Sequence, residues 1–378
     1  GRRWWRRASS VYTPFTRSSD PIQRSIGAEM KRRVAALATS CALLLCLPAG
    51  AGATAHGQAV APADPNPLLG QTWWVDHQWS VSWQDMLRLQ RQGHTGRAAL
   101  IRKIAEQPQF GWYGKWAGAS SPGTRLRKDL ARFAQQSPGS VPLLATMRHE
   151  GKKCGPGYLG GGARADATYR HWIRGFASAV GRRRAVIVFE PDALGTLECL
   201  AKRRRGARLR TLAYGVGVLS KLPNATVYLD AGASDWQDAR TMARKLRAIG
   251  IGKVRGFALN ATHQDWTARN VAYGRELSRL VGGKRFVINT SHNGNGPLHR
   301  KVWINRRKHI WRVANTWCNP PNSVLGERPT TATGDAAVDA YLWIERPGYS
   351  NGACNGGPAK VGAWWRAKAL AMAEGAHW

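Results

Sequence analysis

The chain is short of acids. Its 378 residues carry 22 Asp and Glu against 57 Lys and Arg, a formal charge of +35. Against that background, a carboxylate at the end of an apolar strand stands out as a carrier of chemistry. Cysteine is also scarce, with six residues and no C-x-x-C pair, which argues against a zinc site. No glycine loop cradles a phosphate, because V-G-G-K at 281–284 lacks the upstream glycine spacing. There is no G-x-S-x-G elbow, Ser291 and His292 are mere neighbours, and His149-Glu150 lacks the second His of a zinc helix. No apolar run is long enough for an ordinary membrane span. No long Ser/Thr/Pro linker and no second block of composition separate one module from another. These absences leave carboxylates and aromatics on a single module, with no cofactor and no metal expected.

The N-terminus is a different matter. Residues 1–29 form an unexplained basic leader, read as sequence upstream of the true start. Met30 opens a basic, then apolar, then small-residue run to position 55 that has the form of a secretory signal peptide. Residues 56–66 are a short Pro/Ala-rich linker. Removing 1–55 takes away nine basic and two acidic residues and leaves a formal charge of about +28. Such a charge favours anionic surfaces, including wall polymers and acidic glycans. The Lys and Arg residues are scattered and no nucleic-acid motif accompanies them, so no specific nucleic-acid partner is expected. Four cysteines remain after the signal, Cys154, Cys199, Cys318 and Cys354, an even number that fits two disulfides in a secreted chain. A monomer is expected.

From Pro67 the pattern becomes regular. Apolar runs, V-P-L-L-A-T-M, V-I-V-F-E, T-V-Y-L-D, R-G-F-A-L-N, R-F-V-I-N-T and A-Y-L-W-I, alternate with stretches of helical periodicity. Strand–helix alternation implies right-handed βαβ units around a parallel sheet. Six or more such units in about 310 residues predict a single-domain α/β fold, a closed or nearly closed parallel (β/α) barrel of the TIM-like kind. Chemistry in such folds sits at the C-terminal ends of strands, where this reading places Asp192, Asp230, Asn260, Asn289 and Glu345. Of the 18 Trp, Trp112, Trp116, Trp236, Trp317 and Trp343 fall near turns or strand ends. Any one of them can be core. As a set beside Asn-rich loops they suggest a groove for a polysaccharide.

Several segments, in order, resemble glycoside hydrolase family 6, the secreted inverting cellulases. They are F-E-P-D-A-L-G, V-Y-L-D-A-G with Trp236, G-F-A-L-N, N-T-S-H-N-G-N-G, N-T-W-C-N-P-P-N, R-P-T-T-A-T-G-D and D-A-Y-L-W-I-E-R-P-G followed by S-N-G, spread over residues 67–378. The resemblance implies a distorted parallel barrel, disulfides Cys154–Cys199 and Cys318–Cys354, and Asp192 as general acid. It also implies sugar contacts at Trp236, Asn260, Asn289, Trp317, Asn319 and Trp343. The partners of Asp192 depart from the family pattern. Lys153 stands where the family has Asp, Asn351 where it has its candidate base Asp, and Glu345 where it has Lys. His292 and Asn289 fall within the altered D-T-S-R-N-G motif, and Ala233 replaces the His of A-G-H-S. An Asn accepts no proton at neutral pH, and a Lys beside a carboxylate lowers its pKa. Glu345 is therefore the expected surrogate, either as a relocated carboxylate or paired with Lys153; Glu150 and Asp235 are the other carboxylates in reach of that role. Two functions follow. One is a β-1,4-glucanase; the other is a catalytically degenerate relative that binds glycan or cell wall.

Overall fold

Each strand of the central sheet is short and apolar on both faces, as in β3 (Ala185–Phe189), where all five residues are buried. Such strands need cover on two sides, which a parallel sheet wrapped by helices provides. A computed structural model shows this arrangement; it describes residues 65–114, 122–149, 165–305, 307 and 310–378. The leader, signal and nearly all of the linker expected from the sequence lie outside the described residues. Residues 64–378 form one compact unit.

Two helices, α1 (Val81–Arg91) and α2 (Thr95–Ala105), precede β1 (Gly111–Gly114). Then α3 (Pro122–Gln136), β2 (Leu143–Met147), α4 (Ala165–Val180), β3, α5 (Lys202–Leu219), β4 (Ala225–Asp230), α6 (Ala239–Ile249), β5 (Gly256–Leu259), α7 (Thr267–Leu280) and β6 (Arg285–Asn289) alternate. An antiparallel hairpin, β7 (His299–Asn305) and β8 (Ile310–Asn315), intervenes before β9 (Val338–Leu342) and α8 (Arg366–Glu374). The seven parallel strands run in the order β1-β2-β3-β4-β5-β6-β9. Strands β1 and β9 do not pair as strands. The Phe110 N–H donates to the Trp343 carbonyl at 3.2 Å, and the Trp112 indole donates to the Ile344 carbonyl at 2.7 Å. The result is the distorted barrel expected, curled and laced at its seam, among the described residues, by these hydrogen bonds rather than a ladder.

Side chains alternate along the strands, and this alternation aims the site. Ala185, Ile187 and Phe189 of β3, Val227 and Leu229 of β4, Phe257 and Leu259 of β5, and Phe286 and Ile288 of β6 join the layer beneath the helices. Val186, Val188, Tyr228, Ala258, Val287, Ala340, Leu342 and Ile344 fill the barrel interior. Carrying the interior parity to the C-terminal ends gives Glu190, Asp230, Asn260 and Asn289. Every polar residue that closes one of these four strands is on the interior side, and all four are buried.

Candidate active site

The turn after β3 holds two non-glycine residues with positive φ, Glu190 at 54° and Asp192 at 69°, flanking Pro191. This left-handed backbone is costly and persists where surrounding bonds dictate it. Glu190 supplies those bonds. Its carboxylate accepts the backbone N–H of Arg148 at 2.8 Å and of His149 at 2.7 Å, lies 2.8 Å from His149 Nδ1, and accepts the Tyr169 hydroxyl at 3.2 Å. Burial alone would raise its pKa, but the His149 and backbone hydrogen bonds hold it below the usual value. Glu190 is thus an anchor for the β2 and β3 ends. Gly195, which ends the same motif, leaves room for an indole: a Cβ there would lie 2.3 Å from Trp236.

Asp192 is half-buried and stands free of that anchor. Its Oδ1 accepts the Thr262 hydroxyl at 2.5 Å, and its backbone N–H donates to Asp230 Oδ2 at 3.0 Å. Asp230 also accepts the Gly232 N–H at 3.2 Å. Burial, reinforced by the negative charge of Asp192, pushes Asp230 up to about 8. Asp230 therefore keeps its proton at neutral pH beside Asp192.

Opposite this pair stands Glu345, past the end of β9, with 12% of its side chain exposed. Its Oε1 accepts the Asn351 amide at 2.8 Å, while Oε2 is buried with no hydrogen-bond partner among the described residues, 3.9 Å from His292 Nδ1. Burial raises Glu345 to about 7, against the lowering effect of Asn351 and of the Lys368 charge; the Asp192 charge adds to the rise, so the two carboxylates feel each other. Lys368 of α8 is itself pushed down to about 8 by burial, against the pull of Glu345. His292 is fully buried, which keeps its pKa well below the usual imidazole value and its ring neutral; its Nδ1 lies 2.6 Å from the Ser291 hydroxyl.

The asparagines expected to meet sugar instead support Glu345. Asn289 Oδ1 accepts the backbone N–H of Ile344 at 2.8 Å and of Glu345 at 3.2 Å, and its amide donates to the Asn260 carbonyl at 3.0 Å. Asn260 gives both amide hydrogens to the carbonyls of Asp265 and Asn289. Asn319 accepts the Asn351 N–H at 2.8 Å and donates to the Gly352 carbonyl at 2.8 Å. All three are buried, and their hydrogen bonds run to protein atoms. Trp343 is likewise core: it is fully buried, and its indole donates to the Glu327 carbonyl at 2.8 Å. Asn260, Asn289, Asn319 and Trp343 thus help build the wall of the site, as buried polar atoms need hydrogen-bond partners. Trp236 and Trp317 are half-buried.

A group the sequence reading did not single out completes the site. His263 follows Thr262 in the turn after β5, and its Nδ1 lies 2.9 Å from Asp235 Oδ1. Asp235 Oδ2 accepts the Asn315 amide, and the His263 ring stacks on Trp236 at a centroid distance of 4.7 Å. Burial would lower His263, but the Asp235 hydrogen bond and charge raise it overall. Asp235 is held below its usual range by the same pairing despite burial. It is therefore engaged in an ion pair, which argues against its expected role as a surrogate base. Lys153, Glu150, Trp116 and Cys154 lie outside the described residues. Among the described residues, the cationic groups whose charge reaches Glu345 are Lys368 and His263. Cys318 and Cys354 form a disulfide, and Cys199 is also disulfide-bonded.

Comparison with known proteins agrees with this fold. The family model described as glycosyl hydrolases family 6 matches residues 68–376. Endoglucanase A of Cellulomonas fimi is 37% identical over 281 residues, covering 74% of this chain and 57% of that protein. Endoglucanase 1 of Streptomyces sp. (strain KSM-9) is 35% identical, covering 74% of this chain and 73% of its own length. The chain thus spans little more than half of the Cellulomonas relative. Among solved structures, the endoglucanase Cel6 of Mycobacterium tuberculosis, determined with a thio-linked cellobioside ligand, aligns with a TM-score of 0.71 at 34% identity, over 82% of this chain and 99% of that one. Strand-end carboxylates on a seven-stranded parallel barrel, and a family model that spans almost the whole described unit, lead to one assignment: this chain belongs to glycosyl hydrolase family 6.

Proposed function

We propose that the chain is a secreted β-1,4-glucan hydrolase that inverts anomeric configuration, with Asp192 as general acid and Glu345 as general base. In this reaction Asp192 gives its proton to the glycosidic oxygen as the C–O bond breaks. Water attacks the anomeric carbon from the opposite face, and Glu345 takes the proton that this water loses. Exchange with solvent then reprotonates Asp192 and frees Glu345. The observation that carries this reading is Oε2 of Glu345, a buried carboxylate oxygen with no hydrogen-bond partner among the described residues, on a residue that feels the Asp192 charge. Burial suits it to accept a proton near neutral pH. Asn351, at the family's usual base position, has become the group that holds Glu345 in place. Half-buried Trp236 and Trp317 supply faces for sugar rings. The extracellular setting rests on the signal-like residues 30–55 and the disulfides; among the described residues no helix is long and apolar enough to cross a membrane.

The test is reducing-sugar release from soluble β-1,4-glucan and cello-oligosaccharides, with the anomer first formed read by proton NMR. Asp192→Asn and Glu345→Gln are each expected to lower kcat at least ~100-fold, and the first product to be the α-anomer. Binding of cello-oligosaccharides by the unaltered chain without any sugar release would instead make it a degenerate, glycan-binding member of the family.

A further inference from the structure

Four carboxylates converge on this site: Asp192, Asp230, Asp235 and Glu345. The charged groups that face His263 from the packed elements are these same four. The imidazole is firmly placed. Its Nδ1 is taken by Asp235, its ring lies on Trp236, and its backbone N–H donates to the Asn260 carbonyl at 3.3 Å. Asp235 is fixed in turn by Asn315 at the end of β8. Only 13% of the His263 side chain and 11% of that of Asp235 are exposed. Adjacent residues of one turn thus grip two carboxylates, Thr262 through its hydroxyl on Asp192 and His263 through Nδ1 on Asp235. Asp235 and Asp230 both belong to the stretch that ends β4 and leads to α6. The motif A-G-A-S at 231–234 carries Ala233 where the resembling sequences have an imidazole, and here an imidazole reaches the site from the next strand end instead.

We propose that the Asp235–His263 ion pair is a charge clamp on the Asp192–Asp230 pair. Its imidazolium offsets the crowded carboxylates and so sets the pH at which the acid of this site loses its proton. His263 is then a positioning residue, acting through Asp192 rather than on the sugar. The pairing with Asp235 keeps the ring charged at a pH where an isolated imidazole would be largely neutral. Removing the cation leaves the carboxylates to hold their protons more tightly. The inference rests on the glycosidase reading for its kinetic consequences but not for its electrostatic ones.

Two measurements on the whole chain test it. In the pH profile of kcat/KM, His263→Asn is expected to move the alkaline limb upward by about one pH unit. His263→Lys, which keeps a cation, is expected to leave it near its original position. A purely structural role would lower the rate without displacing the limb. Independently of turnover, the His263 ring followed by NMR should titrate above ~6.5, at lower pH in Asp192→Asn, and lower still in Asp235→Asn. A His263 titration indifferent to Asp192→Asn, or an alkaline limb unmoved in His263→Asn, overturns the clamp. Absence of sugar release by the unaltered chain removes the glycosidase reading while the NMR titrations still decide the clamp.

Discussion

At the residue scale, one motif divides its labour between two acids. Glu190 and Asp192 are separated only by Pro191, yet Glu190 is buried among donors and Asp192 faces the site. Glu190→Gln would keep the shape but remove the charge that two backbone N–H groups and His149 surround. It is expected to cost about 3 kcal/mol of stability, read as a lowered midpoint in chemical denaturation, with activity falling because the Asp192 turn loses its anchor. The raised groups make a second prediction. Glu345 must be unprotonated to accept a proton, so activity should rise as pH passes about 7. Asp230, hydrogen-bonded to the Asp192 backbone, loses its own proton as pH passes about 8, and activity is expected to fall there. The expected profile of kcat/KM is a narrow bell between these values, and Asp230→Asn should displace its alkaline side. The same shifts bear on stability. Both carboxylates have folded values above their unfolded ones, so their contribution is full below the ordinary carboxylate range and is lost as pH rises through 7 and 8. The drop in Tm between pH 6 and 9 should therefore be smaller in Asp230→Asn.

At the element scale, strand parity explains both what the sequence revealed and what it hid. The runs ending at Asp230, Asn260 and Asn289 are legible as buried parallel strands, and their period of two aims each terminal residue at the barrel interior. Helices α3 to α7 are legible too; Asp238, for instance, caps α6 by accepting the Thr241 N–H at 2.8 Å. Strand β1, G-W-Y-G, has too few β-formers to announce itself, and the β7–β8 hairpin lacks a two-residue turn signal. The asparagines are only partly legible, for a physical reason. Their position at strand ends is visible in sequence, but whether an amide faces ligand or protein depends on neighbours 29 to 55 residues away. His263 and Lys368 carry no local signal at all, because each reaches the site from a separate turn or helix. The loop carrying Asn351 is closed by Cys318–Cys354, 36 residues apart, with Asn319 bonded to the Cys354 carbonyl at 3.0 Å. Replacing both cysteines by Ser is expected to cost about 4 kcal/mol and to raise KM, because Asn351 and through it Glu345 lose their fixed position. Thermal unfolding and steady-state kinetics of the double variant check this.

At the scale of the whole molecule, the barrel collects carboxylates that are rare in the chain. Asp192 and Asp230 come from one side of the barrel mouth and Glu345 from the other, on β3, β4 and β9, which are not sheet neighbours as a set. The charge pattern around them is rearranged relative to the family pattern, with Glu345 and Asn351 exchanging the roles of anion and support. That rearrangement is the central claim, and chemical rescue of Glu345→Ala tests it most directly. With the carboxylate removed, azide can occupy its place and attack the anomeric carbon from the face opposite the leaving group. The account predicts almost no hydrolysis by Glu345→Ala alone and accumulation of the α-glycosyl azide when azide is added. Hydrolysis by Glu345→Ala at the unaltered rate, with no azide adduct, would contradict it.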